Sequence, residues 1–284
     1  MNAQTVIALF LALASTTLTN VAYLRQHDAA AALPVLSLRR PLHSARTLLT
    51  DRSWLFGFAL ESGGFALYVV ALALAPLTLV QSVSAGGIGI LAFAGARFSH
   101  RRLGRHELAG VIVSMLGLLA LAVSLAGGTG AGTGGSTGEI LLWLTASAAA
   151  AVATLAVGRR FGALAVAEGI AGGLFFSIGD ISVKVATQGG ARYAFAVGVI
   201  VGYTLGTAFL QLGYQKGGAL TVAGLATLLT NALPIAAGSV VLGEPVPSGA
   251  FGALRIVAFV AVTAGAILLA RPDSGTARQA DRAR

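Results

Sequence analysis

Cysteine is absent from this chain of 284 residues. That excludes disulfides, thiolate nucleophiles and cysteine-based metal sites, and leaves the redox compartment open. Charge is scarce: 10% of the residues are Asp, Glu, Lys or Arg, against about 25% in soluble domains. Acids are the scarcer sign, 10 against 19 basic residues. No P-loop, HExxH, GxSxG or paired-carboxylate motif occurs, so neither nucleotide hydrolysis nor an intramembrane enzyme is expected. The histidines, His27, His43, His100 and His106, all fall between apolar runs and none shows ligand spacing within a run. The sequence therefore names no cofactor and leaves metal binding unknown.

Apolar residues fill the space that charge leaves. They make up 56% of the chain, and mean hydropathy is +0.84. Runs near 20 residues recur, each long enough to cross a hydrocarbon core of about 30 Å as a helix. Backbone groups in lipid must be satisfied within the segment, which selects helices; the short alternating strands of a barrel are missing. The expected fold is an all-α polytopic membrane protein with nine transmembrane helices: Thr5–Leu24, Trp54–Ala75, Leu77–Ala96, Leu108–Ala126, Ile140–Val157, Leu164–Ala186, Tyr193–Tyr214, Leu220–Leu242 and Phe251–Ala270. Pro76 separates the second and third spans, because proline removes a helix donor and clashes with the preceding turn. Residues Met1 to Gln4 carry no basic side chain, so the first run is expected to be a retained span and not a cleaved signal.

A net charge of +9 invites a nucleic-acid reading, but the basic residues sit in short loops, where membrane topology accounts for them. With the amino terminus outside and the carboxyl terminus inside, 16 of the 19 basic residues face the cytoplasm. Arg192 alone falls in an outer loop, and Lys184 and Arg255 lie near span ends. The expected location is the cytoplasmic membrane, with the lipid bilayer as partner and no nucleic acid. Gln26 to Ser53 forms a longer cytoplasmic segment, read either as a surface loop or as holding a short interfacial helix. The Gly127–Gly138 stretch (GGTGAGTGGSTG) is a linker by composition. Its GxGxxG match lacks a βαβ context.

The chain also repeats itself. Ala75–Val80 (APLTLV) matches Gly218–Ala223 (GALTVA), each opening a span that is followed by a charged turn and one further span. Four spans, a linker span and four spans result: 1–126 as first repeat, with cytoplasmic loop 25–53; 127–162 as linker and fifth span; 163–270 as second repeat; 271–284 as disordered tail. Five spans separate equivalent helices, so the second unit enters the membrane upside down. Such inverted repeats place a substrate site near mid-membrane in secondary transporters.

Three short motifs carry a family resemblance. They are Ala71-Leu72 with Ala75-Pro76-Leu77, Leu233-Pro234 in the eighth span, and Leu242-Gly243-Glu244 at its end, followed by a last span bearing Gly252 and Gly265. With these the chain resembles the drug/metabolite transporter superfamily, in an EamA-like or NIPA-like branch. The Trp54–Gly57 stretch, Ala75-Pro76, Leu79-Val80 and the long loop before Trp54 look like the NIPA-type magnesium transporters. Where that branch often carries a Gly-Glu step this chain has Gly64-Phe65, and the acid is Glu61. The resemblance implies a secondary transporter moving a small polar solute by alternating access; a divalent-cation carrier is the near alternative. A non-transporting membrane scaffold is the alternative of another class.

Ionisable groups within spans are expensive and are candidate functional sites. Glu61 reads as a coupling carboxylate or as a structural hydrogen-bonding group. Asp180 reads as a pathway residue or as the i, i+4 partner of Lys184. Glu168 reads as an acid favoured at a helix amino terminus, and Glu244 as one that favours the start of the ninth span. The amides Asn20, Gln81, Gln211 and Asn231, with Tyr68 and Tyr203, either cross-link helices or line a polar pocket. Gly198, Gly202 and Gly206 form a double GxxxG, which suits close packing within one bundle and also admits a homodimer seam. Pro76 and Pro234 are the expected helix breaks.

Overall fold

A computed structural model describes residues 3–84, 91, 104–124, 134–245 and 248–270. Among these the chain is helical, with no strand. The helices are α1 (Ala3–Ala32), α2 (Pro41–Thr50), α3 (Arg52–Leu74), α4 (Leu77–Ser84), α5 (Arg105–Ser124), α6 (Thr137–Phe161), α7 (Leu164–Ala186), α8 (Ala196–Tyr214), α9 (Ala219–Val240) and α10 (Ala250–Ala270), with a 3₁₀ turn at Gly190–Phe195. All but α2 coincide with the nine expected spans. Among the described residues six stretches are long and apolar enough to cross a membrane: Gln4–Ala32, Arg52–Leu74, Thr137–Phe161, Leu164–Ala186, Gly190–Tyr214 and Ala219–Val240. The third span beyond Ser84, the basic turn after it, most of the Gly-rich linker and the 271–284 tail lie outside the described residues.

Three expectations need correction. The first span does not end at Leu24: α1 runs on to Ala32. Arg25 and Asp28 are exposed on one side of this extension, while Gln26, Ala29 and Ala30 are buried on the other. An arginine on the outer face marks the interface without stopping the helix. The seventh span does not begin as an α-helix at Tyr193: after positive φ at Gly189 and Gly190, a 3₁₀ turn over Gly190–Phe195 leads into α8. Nor does Pro234 break its helix, because α9 runs unbroken from Ala219 to Val240. Proline is tolerated there because packing against neighbouring helices holds the segment. Pro76 does separate two helices, with Ala75 extended between α3 and α4.

Small residues set the packing. On α3, a Cβ at Gly57 would lie 2.9 Å from Gln26 Cγ, and one at Gly64 would lie 3.0 Å from the Ser15 carbonyl. These two glycines draw α3 against α1. Gly202 of α8 would meet the Gly179 backbone nitrogen at 2.5 Å, and Gly206 would meet the Phe176 ring at 2.6 Å. The double GxxxG is thus spent on α7, inside the bundle. Gly169 and Gly173 of α7 abut the α9 backbone at Val222 and Ala226. Buried on nearly every side, α7 is the central helix.

The pairings are regular. α1 packs on α3, and α7 on α8; α1 touches α4, and α7 touches α9. α4 touches α5, and α9 touches α10. Across the molecule α3 meets α7, α8 meets α1, α4 meets α9 and α5 meets α10.

Candidate functional site

A cavity of about 370 Å³ lies among α1, α3, α4, α7, α8 and α9. Of the residues singled out from the sequence, Asn20, Glu61, Tyr68, Gln81, Asp180, Tyr203 and Asn231 all line it. Gln211 does not reach the cavity but is tied to it through a second amide.

Asp180 is held on α7 by groups from three other elements. Its Oδ2 accepts from Gln81 Nε2 of α4 at 3.0 Å, and its Oδ1 accepts from the Tyr203 hydroxyl of α8. Gln81 Nε2 also donates to the Tyr68 hydroxyl of α3 at 2.5 Å. The local reason lies next door. Gly179 has no side chain, so the Tyr203 ring rests on the α7 backbone, where a Cβ would come within 2.7 Å of it. Two residues with no functional group between them, Gly179 and Gly202, thus set the Asp180–Tyr203 contact.

Glu61 is held from the other wall. Gln26 Nε2 donates to Glu61 Oε2 at 2.6 Å, and Gln26 Oε1 accepts from Gln211 Nε2 at 2.5 Å. This amide relay joins α3, α1 and α8. Gly57, one turn before Glu61, makes room for it. Gln26, which holds Glu61, lies beyond the expected end of the first span at Leu24, so the sequence does not single it out. Helical spacing from Asn20 through Tyr23 to Gln26 would have found it.

Asn20 and Asn231 are a matched pair. Each donates its Nδ2 to the carbonyl four residues earlier, Thr16 at 2.9 Å and Thr227 at 2.7 Å. Each therefore keeps an Oδ1 that no donor reaches among the described residues. With Glu61, Asp180 and the hydroxyls of Thr16, Thr227 and Thr230, the lining is rich in oxygen acceptors. Among the described residues it contains no Lys, Arg or His. Among the described residues no three His, Asp or Glu side chains converge as a ready-made metal cage.

Other expected roles change. Asp180 does not pair with Lys184. The lysine turns to the end of α3, where its Nζ donates to the carbonyls of Leu72 at 3.1 Å and Ala75 at 3.0 Å. Leu72 is the residue whose carbonyl Pro76 would have served had it carried an N–H. Glu244 is buried, and its Oε1 accepts from Leu77 N at 3.1 Å, at the start of α4, which is remote from the ninth span in sequence. The broken junction at Pro76 is therefore capped from both sides by the second half of the chain. Glu168 pairs with Lys216 and is not merely an acid at a helix start.

On the face bearing Lys184 and Glu244, Arg192 donates to the carbonyls of Gly134 and Gly135, the latter at 2.7 Å, and to Gln188. The end of the Gly-rich linker is thus docked. Gly135, at φ 65°, lies so close to the Val241 carbonyl that a Cβ there would come within 2.1 Å of it.

Membrane-spanning helices gathered around a cavity that holds two carboxylates suit a membrane transporter. The chain is 27% identical to the probable magnesium transporter NIPA9 of Arabidopsis thaliana, over an alignment of 288 positions that covers 91% of this chain and 80% of the other. That relationship agrees with the NIPA-like resemblance read from the sequence motifs. No family model matches the chain, and no solved structure matches it.

Proposed function

We propose that this protein is a secondary transporter that carries a small cation across the cytoplasmic membrane by alternating access. The observation that carries the reading is the cavity lining: Glu61 and Asp180, amide and hydroxyl oxygens, and, among the described residues, no basic side chain. An anion would meet two carboxylates with nothing to offset them, whereas a cation would neutralise groups that are costly to hold within a bilayer. The solute class expected from the sequence is thereby narrowed to cations.

Magnesium is the first cargo to test, since the related plant protein is named a probable magnesium transporter. Mg²⁺ prefers oxygen ligands, keeps several waters and is bound through one or two carboxylates. At about 30 Å³ per water, a hydrated ion fits a cavity of about 370 Å³.

The helix pairings favour an inverted repeat of four plus four spans. Exchanging α1 with α7, α3 with α8, α4 with α9 and α5 with α10 turns each of the pairings described above into another of the set, or, for α4 with α9 and α5 with α10, into itself. α6 is the linker under this exchange. Alternating access would then rock one unit against the other around the cavity. The amino terminus is placed outside and the carboxyl terminus inside on the arginine distribution.

Uptake into liposomes bearing the purified full-length protein tests this. Mg²⁺ entry measured with a trapped indicator dye is expected to rise above protein-free liposomes and to fall in Glu61→Gln and Asp180→Asn. If no cation in a panel of mono- and divalent ions moves, the transporter reading fails and the scaffold alternative stands.

A further inference from the structure

We infer that α2 is a docking surface for acidic phospholipids: its arginines hold their phosphates while its leucines enter the edge of the acyl region. The surface lies apart from the cavity, which no residue of α2 lines. Three observations point to it.

The first is where α2 hangs. α1 is 30 residues long, roughly 45 Å at about 1.5 Å per residue, against a hydrocarbon core of about 30 Å. Its last turns, with Arg25 and Asp28 exposed, therefore reach headgroup depth. α3 starts directly after α2, at Arg52, and runs back through the apolar layer. A helix strung between two spans at their shared end lies at the membrane surface.

The second is how it is held. Ser44 Oγ accepts from Ser37 N at 2.8 Å and donates to Ser37 O at 3.0 Å, which fixes the start of α2. At the far end Asp51 accepts from Trp54 N at 2.7 Å and caps α3. Leu48 packs against the bundle. These contacts set the rotation of α2, yet none of its residues is buried. Leu42, Ala45 and Leu49 fall at i, i+3 and i+7 and form one stripe. Leu42 is 85% exposed and Leu49 54%, and Val35, just before the helix, is 87% exposed. Such a stripe gains by leaving water for the acyl boundary.

The third is charge. Arg46 follows Leu42 by four residues and precedes Leu49 by three, so it stands beside both on the helix. Arg39 and Arg40 precede α2 and Arg52 follows it. All four arginines are exposed, and among the described residues none is in an ion pair. The guanidinium fork matches phosphate oxygens. An acidic soluble protein would meet the arginines and leave the leucines at the bilayer edge unused; an acidic lipid covers both.

The chain has no cysteine, so Leu42→Cys carries a single polarity-sensitive fluorophore. In liposomes of phosphatidylcholine with phosphatidylglycerol, the labelled full-length protein is expected to emit well to the blue of the same label in water. Lipids spin-labelled near the headgroup are expected to quench it. A label at His43→Cys, on the flank away from the stripe, is expected to stay water-like. In detergent, short-chain phosphatidylglycerol bearing an acceptor dye is expected to take energy from the Leu42→Cys label saturably, and the matching phosphatidylcholine is not. Replacing Arg39, Arg40 and Arg46 together by Gln is expected to raise the half-saturating concentration roughly hundredfold, about fivefold for each charge lost at an acidic surface. Replacing them by Lys is expected to raise it far less. The unfolding midpoint checks that the variants fold equally. A label at position 42 that stays water-like in liposomes, an equal response to both lipids, or a half-saturation point unmoved by the Gln replacements overturns the inference. Energy transfer that appears only as the protein dimerises, read by light scattering over a range of protein concentrations, overturns it as well, since a second copy would then cover the face. Mg²⁺ entry in the same liposomes is a separate readout: its failure sinks the cargo reading and leaves this one standing.

Discussion

Glu61 and Asp180 reach one cavity by different means, and each depends on an uncharged amide. Asp180 is held by Gln81 and Tyr203, Glu61 by Gln26, which is in turn held by Gln211. Gln26→Leu is expected to lower stability by about 1.5–3 kcal/mol, the usual loss for a hydrogen bond to a carboxylate, and to reduce cation flux while Glu61 remains. Unfolding in detergent and liposome uptake check the two parts separately. Lys184→Met leaves the Leu72 and Ala75 carbonyls without that donor. A loss of about 1–3 kcal/mol is expected, and Lys184→Arg is expected to recover part of it. At this scale the sequence was legible wherever a polar group stood alone in an apolar run, as Asn20, Glu61, Gln81 and Asn231 do. It misled where two charges shared a helix face. Asp180 and Lys184 are spaced for an ion pair, but the pairing is decided by Gln81, Tyr203 and the open end of α3, which come from distant parts of the chain.

Among the elements, the close contacts of α7 are set by glycine. A Cβ at Gly202 would meet the α7 backbone at Gly179 and the Phe175 carbonyl, and backbone cannot step aside as a side chain can. Gly202→Leu is expected to part α7 from α8, at a cost of about 1–3 kcal/mol or more, and to pull Tyr203 away from Asp180. Gly63 makes the control. Nothing lies within 4 Å of a Cβ there, so Gly63→Ala is expected to be tolerated or to stabilise by about 0.5–1 kcal/mol. Thermal unfolding of the purified variants distinguishes the two. Helix positions were legible from apolar run length alone, to within a few residues for α3, α6, α7 and α9. The extension of α1 past Arg25 was not, because a helix that is exposed on one side and buried on the other presents a charge without ending. The unbroken course of α9 through Pro234 was not legible either, since tolerance of proline depends on neighbours that a sequence does not list.

For the molecule as a whole, the native absence of cysteine offers a direct test of topology. Single cysteines replacing Ser136, beside the docked linker, or Thr47, on α2, are predicted to face opposite sides of the membrane. A membrane-impermeant maleimide applied to intact cells is expected to label the Ser136→Cys protein and not the Thr47→Cys protein; the reverse pattern would invert the proposed orientation. One more property follows from the Pro76 junction. Its missing donor is replaced by an ammonium group and not by a neutral amide. With the proposed orientation, opening that end would release Lys184 toward the outer aqueous phase and carry a positive charge outward through part of the membrane field. Moving one charge through the whole field is worth about 2.3 kcal/mol per 100 mV; a tenth of that path amounts to about 0.2 kcal/mol. An inside-negative potential would pull the charge back, so in the proposed alternating-access cycle the outward-opening step would acquire a voltage dependence of its own, separate from that of any ion carried.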